Sequence, residues 1–509
     1  MTVDKKACKD KPFSLKIAYI CKDIATLAVL AMRKHFLFLV TAAFLAIPFS
    51  CTQPAPVDSP EETGKTEDPG KPETPETPVI NPEDLQPITF EALLTDDRIW
   101  ESKPNILIRV TNPNPVAVPA EFLTRISTDK KKQVATIEFS KEIPAESTED
   151  VLVTTQEALE PGFYRATNFV NEQQAGIFNF GISPFQIVSA PDYQPDFEAF
   201  WAAAKAQLPP INEQTVNMIE MTGKSTQYRK VYLVELKSVP DGPDGEPVTV
   251  RGYYCEPQDG RKHPVLMHFY GYDTQGSTSK PDCPGGGSSS EAYAEFYLSH
   301  RGQYINNRPA SSREPDGLGD LVNIYGDWFA YNFGDKDAYY YRGAFMDCVQ
   351  AVNFLASRET SDMDKLFGWG SSQGGALSYA AAALSDYPFR AIAPCVAFLG
   401  DFPDYFIITG WPASTAQEQQ KAKGLSDAQM YTFLSYFDTK NLATLIPAST
   451  AVMACSGLMD TTCPPHTNIA PFNNLKTLDK EYYFYPKMTH DIPKDWGSKY
   501  TAFFKARIQ

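Results

Sequence analysis

The pentapeptide Gly370-Ser371-Ser372-Gln373-Gly374 carries the clearest chemical signal in this chain. A serine with a glycine two positions to either side suits a sharp strand-to-helix turn, where the backbone is strained and larger neighbours would collide. Ser372 is therefore the candidate nucleophile, and the chemistry it points to is acyl transfer. Alone, the pentapeptide also fits a plain Gly/Ser loop. Its flanks favour the turn: residues 365–369 form a short apolar run of buried-strand type, and residues 376–384 are a strong helix former. Upstream, Phe345, Cys348, Val349, Val352 and Leu355 recur at the spacing of one helix face. Helix, strand and helix alternate here as in an open parallel sheet.

A serine hydroxyl is a weak nucleophile until an imidazole takes its proton and a carboxylate fixes the imidazole tautomer. In the α/β-hydrolase order both partners follow the serine, acid before base, each just after a strand. Residues 451–455 read as a buried strand, and the loop after them presents Asp460. Residues 481–485 read as the last strand, and the turn after them presents His490. A lone loop aspartate is ordinarily a turn former; the order Ser372, Asp460, His490 is what gives Asp460 its weight. Of the other histidines, His35 precedes the expected mature protein, His263 falls in a polar turn, His268 lies in an apolar strand, and His300 and His466 fall in loops. The oxyanion of acyl transfer needs backbone donors. One is expected at the Gln373 amide, and the other at the Tyr272 amide, in the Gly/Ser-rich loop after the strand at 264–270.

From about Pro191 to its C-terminus the chain resembles the acetyl xylan esterase and cephalosporin C deacetylase family of α/β-hydrolases. The resemblance rests on Gly370-Ser371-Ser372-Gln373-Gly374-Gly375, Arg301-Gly302-Gln303, Tyr339-Tyr340-Tyr341-Arg342, Leu434-Ser435-Tyr436-Phe437-Asp438 and Gly457-Leu458-Met459-Asp460. It implies an α/β fold with a mostly parallel sheet, Ser372, Asp460 and His490 as nucleophile, acid and base, and Tyr272 and Gln373 amides as the oxyanion hole. Two departures stand out. The family's His-Gly before the oxyanion tyrosine is Tyr270-Gly271 here, and its His-Glu pair is His490-Asp491. Neither removes a member of the triad. Arg301 and Gln303 are expected to pin loops around the site, Gly370 and Gly374 to shape the elbow, and Asp491 to act from behind the triad. The implied activity is removal of acetyl groups from acetylated xylan or xylo-oligosaccharides through an acyl-enzyme, with no cofactor and no metal. The competing readings are a broad short-chain esterase or peptidase on the same fold, or a surface glycan-binding lipoprotein without catalysis. The resemblance also implies a homo-oligomer.

The elements that position these residues occupy part of a long chain. With 509 residues, 43% hydrophobic and 21% charged, it has room for two to four ordinary globular domains. A net charge of −16 argues against nucleic acid or an anionic membrane surface as partner. Residues 1–51 are expected as a leader: Arg33 and Lys34 precede an apolar run too short to span a bilayer, and Ser50-Cys51 resembles a lipoprotein processing site. Lipidation of Cys51 would place an exported protein at the bacterial cell envelope, in the periplasm or at the surface. Residues 52–85 hold nine acids and two lysines with Pro-Glu-Thr repeats, the composition of a disordered tether. Residues 86–190 carry strand-like runs at 105–110, 133–139, 150–154 and 162–169, which predict a small immunoglobulin-like β-sandwich serving as spacer or assembly module. Residues 191–509 are then the catalytic domain, expected to act on a soluble acetyl ester by themselves. Cys348, Cys395 and Cys455 lie in apolar runs as buried thiols, and no cysteine spacing is of zinc type.

Overall fold

The computed structural model describes residues 82–94, 97–243, 245–275, 278–289, 292–305 and 323–508. The leader, Cys51 and the tether as far as residue 81 lie outside the described residues. Pro82–Asp84 is a single 3-10 turn, and Pro87–Gln509 forms one compact unit.

Strands come first: β1 (Thr89–Leu93), β2 (Ile99–Trp100), β3 (Ile106–Asn112), β4 (Val118–Thr128), β5 (Gln133–Ile143), β6 (Ser147–Val153), β7 (Gly162–Val170) and β8 (Gln173–Ile182). They make a three-stranded sheet, β1-β3-β6, and a five-stranded sheet, β2-β8-β7-β4-β5. Period-two alternation buries Ile106, Ile108 and Val110 of β3, and they share a core with Phe122, Ile126, Ala166 and Phe180 of the other sheet. The four runs legible in the sequence are β3, β5, β6 and β7. Pro119 obscures β4 as a strand, yet it sits where β4 pairs with β5 alone, beyond the stretch that also pairs with β7. Two glycines obscure β8; at Gly181 a Cβ would lie 2.9 Å from Ile99 and Pro184.

The second region is a nine-stranded sheet built from β9 (Val216–Glu220), β10 (Arg229–Lys237), β11 (Thr249–Pro257), β12 (His263–Phe269), β13 (Ala294–Ser299), β14 (Ser361–Ser371), β15 (Ala391–Cys395), β16 (Ala451–Gly457) and β17 (Lys480–Tyr485). Its order is β17-β16-β15-β14-β12-β13-β11-β10-β9. The six strands from β17 to β13 run parallel, and β11, β10 and β9 continue antiparallel. The parallel strands β15 and β16 are buried on both faces, whereas every residue of the edge strand β17 is half-buried. Helices Tyr340–Ala356 and Gln373–Leu384 pack into the same core, and neither shows a wide polar face. Phe163 of β7 belongs to that core as well. His263 opens β12 and is buried, so the polar turn expected there ends before it. Among the described residues all cysteines are free thiols, with Cys395 and Cys455 facing each other at 3.4 Å. Among the described residues no helix is long and apolar enough to cross a membrane.

Candidate active site

Ser372, Asp460, His490 and Tyr272 follow β14, β16, β17 and β12 respectively, so four parallel strands deliver them to one edge of the sheet. Ser372 has φ 56° and ψ −123°, a conformation that a side-chain-bearing residue holds only when its surroundings enforce it. The enforcement is steric and polar. A Cβ on Gly370 would sit 2.4 Å from Gly374 O, and one on Gly374 would sit 2.4 Å from Phe269 O. Ser372 N donates to Cys395 O at 3.0 Å, while Ser372 O accepts from Phe398 N at 3.0 Å. The elbow is thereby fastened to β15 and the segment after it.

From Ser372 Oγ a chain of hydrogen bonds runs inward. Ser372 Oγ lies 3.0 Å from His490 Nε2, and His490 Nδ1 lies 2.8 Å from Asp460 Oδ2. In the neutral imidazole the bond to Asp460 keeps the proton on Nδ1 and leaves the Nε2 lone pair for the serine hydroxyl. Asp460 Oδ1 accepts the Thr462 and Cys463 amides at 2.8 Å each, and the Asp460 side chain is fully buried. Burial works to lower the His490 pKa, but the hydrogen bond and charge of Asp460, together with the Cys463 thiol, outweigh it and raise the imidazole above its ordinary range. The acid and base loops are joined to each other: Leu458 N donates to Tyr485 O and Met459 N to Met488 O, both at 3.0 Å. A Cβ on Gly457 would come within 2.3 Å of Met488 O, so this approach needs a glycine.

The loop bearing Tyr272 passes over the serine, since a Cβ on Gly271 would be in ordinary contact, 3.6 Å, with Ser372 Cβ. Both polar groups of the Gly271 backbone are held. Its N–H donates to Ser279 Oγ at 2.7 Å, and its carbonyl accepts from Gln303 Nε2 at 3.3 Å. Gln303 Nε2 also donates to Ser279 O at 3.0 Å. The direction of the next amide, Tyr272 N–H, is set by these bonds. Arg301 stands behind them, buried, with Asp347 on Nε and Nη2, Asp241 on Nη1 at 2.6 Å and Val239 O on Nη2.

Gln373 begins its helix, where an N–H has no intrahelical acceptor. Its side chain turns inward: Nε2 donates to His300 Nε2 at 2.9 Å, and Oε1 accepts from Tyr341 OH at 2.8 Å. Burial, partly opposed by Asp347, lowers His300 to about 4, so the imidazole is neutral and able to accept that bond. Its other nitrogen lies 2.8 Å from Tyr340 OH, which donates to Arg301 O at 2.7 Å. Sequence reasoning assigned His300 to a loop and missed this role; its position next to Arg301-Gly302-Gln303 was the available signal. Asp491 is exposed and accepts from the amide of Ile492 at 2.7 Å, so it shapes its own turn instead of standing behind the triad.

His466 lies in the helix Pro465–Asn473, not in a loop. Its Nδ1 is 2.8 Å from Asp129 Oδ2 and its Nε2 is 2.9 Å from Asp404 Oδ2. The Tyr272 side chain belongs to an aromatic cluster. The Tyr272 ring packs at 5.0 Å from Trp328 and 5.3 Å from Trp411, and Phe398 stacks on Trp411 at 5.2 Å.

Residues 186–508 match the acetyl xylan esterase (AXE1) family, a match that begins after β8. The acetyl esterase Axe7A of Xylanibacter ruminicola is 24% identical over 356 residues, which are 69% of this chain and 75% of that protein. Among solved structures, an acetyl xylan esterase from Paenibacillus sp. R4 is 26% identical with a TM-score of 0.50, covering 64% of this chain and 98% of that one.

Proposed function

The chain belongs to the acetyl xylan esterase family and is a carboxylic ester hydrolase, and from that membership we propose that it removes acetyl groups from acetylated xylan or xylo-oligosaccharides by serine catalysis. The observation that carries the mechanism is the unbroken chain Ser372 Oγ, His490, Asp460 beside the loop of Tyr272. As Ser372 Oγ attacks the acetyl carbonyl, His490 Nε2 takes the hydroxyl proton and Asp460 stabilises the imidazolium. The carbonyl oxygen becomes an oxyanion that the Tyr272 and Gln373 amides receive. When the tetrahedral centre collapses, the C–O bond to the sugar breaks and His490 returns the proton to the departing sugar oxygen. Water then repeats the sequence on acetyl-Ser372, releasing acetate and restoring the serine.

Acetate release from acetylated xylan, compared with release from longer acyl esters and from peptide substrates, tests the reading. Strong acetate release supports it; equal rates on long acyl esters or amides sink the substrate claim, and none at all favours a glycan-binding role. Anchoring at the cell envelope through a lipidated Cys51 is part of the same proposal and rests on the sequence of the leader alone. Intact mass of the native protein tests that part: an unmodified N-terminus elsewhere removes the anchor.

A further inference from the structure

The β-sandwich touches the acid loop at both ends. Asn179 of β8 donates from Nδ2 to the carbonyl of Leu458 at 2.6 Å, two residues before Asp460. Its Oδ1 accepts from Arg165 Nε at 3.1 Å, which sets the amide's orientation. At the far end of the loop, Asp129, in the turn between β4 and β5, holds His466 Nδ1 at 2.8 Å. Its neighbour Lys130 pairs with Asp404 Oδ1 at 2.5 Å, and Asp404 Oδ2 faces His466 Nε2. Between these two anchors Phe163, 2% exposed, places its ring 6.5 Å from His466 and 6.0 Å from Phe484.

We propose that the β-sandwich is a positioning part of the active site, with Asn179 and Asp129 holding the two ends of the loop that presents Asp460 to His490. The proposal rests on Asp460 being the catalytic acid. The Thr462 and Cys463 amides fix the carboxylate relative to its own loop, but a loop between a strand and a helix is the softest part of such a sheet. Something must fix the loop relative to His490. The joints to Tyr485 and Met488 do so from the catalytic side, and Asn179 and Asp129 do so from the sandwich. A detached spacer or a sugar-binding appendage needs none of these bonds. The precision matters because a misplacement of about 1 Å in a catalytic group can cost about 100-fold in rate.

Asn179→Asp is the direct test. The substitution keeps the side chain's shape and its Arg165 partner, but sets an oxygen against Leu458 O. Assayed on a small soluble acetyl ester, which has no sugar to reach the sandwich, the variant is expected to lose roughly 10- to 100-fold in kcat with KM unchanged. The apparent pKa of kcat/KM should also move toward the ordinary histidine value of about 6.5, because the carboxylate no longer sits firmly on His490 Nδ1. In an Asp460→Asn background the same change should alter kcat by less than about twofold, since both act through one group. Asp129→Asn, which leaves Asn179 in place, should shift kcat and the pH profile in the same direction and serves if Asn179→Asp does not fold. A folded variant of either kind with wild-type kcat and pH profile overturns the proposal, as does an effect on KM alone or one that adds fully to Asp460→Asn. If Asp460→Asn itself turns over at the wild-type rate, it is the acid assignment that has failed.

Discussion

Two histidines in this protein have nearly the same first partner and opposite uses. His490 and His466 each present Nδ1 to a carboxylate at 2.8 Å, Asp460 for one and Asp129 for the other. They differ at Nε2. His490 meets a hydroxyl there, which can give up a proton, whereas His466 meets Asp404, which can only accept one at neutral pH. A histidine between two carboxylates is satisfied only as imidazolium, and burial, which would lower its pKa, is overridden by Asp129 and Asp404 so that it is pushed up to about 9. One site is therefore built to move a proton and the other to keep one. The acceptor at the second nitrogen decides between base and ion bridge.

That contrast can be broken first at the serine. Ser372→Ala should lower hydrolysis of a small acetyl ester by about 10⁴- to 10⁶-fold while the unfolding transition stays in place; steady-state rates with a thermal melt check both halves. Asp460→Asn should cost about 10⁴-fold and pull the apparent pKa of the remaining activity down, because the charge that raises His490 is gone.

His466→Gln should act chiefly on stability, with no more than the roughly 10- to 100-fold loss in kcat expected of Asp129→Asn, because it releases the same anchor. Removing the imidazolium leaves Asp129 and Asp404 facing each other, and loss of about 3 kcal/mol is expected by denaturant titration. A fall in activity of the Ser372→Ala kind would mean that His466 does chemistry.

The smallest effect, and the sharpest, is in pH. His466 is raised in the folded protein, so its contribution to stability is fully present below about pH 6.5 and is lost as pH rises through about 9. The groups facing it are Asp129, Asp404 and Asp401, with Lys130 and Lys440 beyond them. The melting-temperature difference between the wild type and His466→Gln should shrink between pH 7 and about pH 10. Activity should run the other way, rising as pH climbs and His490 loses its proton. If both properties fell together with pH, the two histidines would not have the separate roles assigned to them.

The sequence made the elbow legible because its causes are largely local. Gly370 is required by Gly374 O, four residues on, and the strand and helix that flank the turn have ordinary propensities; the demand on Gly374, from Phe269 O of β12, is distant. Asp460 and His490 were legible from order alone, each following an apolar strand. What the sequence hid was contact between distant segments. Asn179 meets Leu458 across 279 positions and Asp129 meets His466 across 337, and neither residue sits in a pattern that marks it. His300 was hidden in the same way, since its partner Gln373 arrives 73 positions later. The expectation that residues from Pro191 onward suffice for activity came from counting site residues; Phe163 in the shared core and Asn179 on the acid loop argue against it.

The joint between the turns after β16 and β17 bears on how such an enzyme can change. Gly457 lets the two turns touch, and the bonds from Leu458 and Met459 to Tyr485 and Met488 make them one piece of backbone architecture. Neither turn can be lengthened, shortened or exchanged with a homologue's without dislodging its neighbour. For recombination between relatives, the stretch from Gly457 to His490 is a single heritable block.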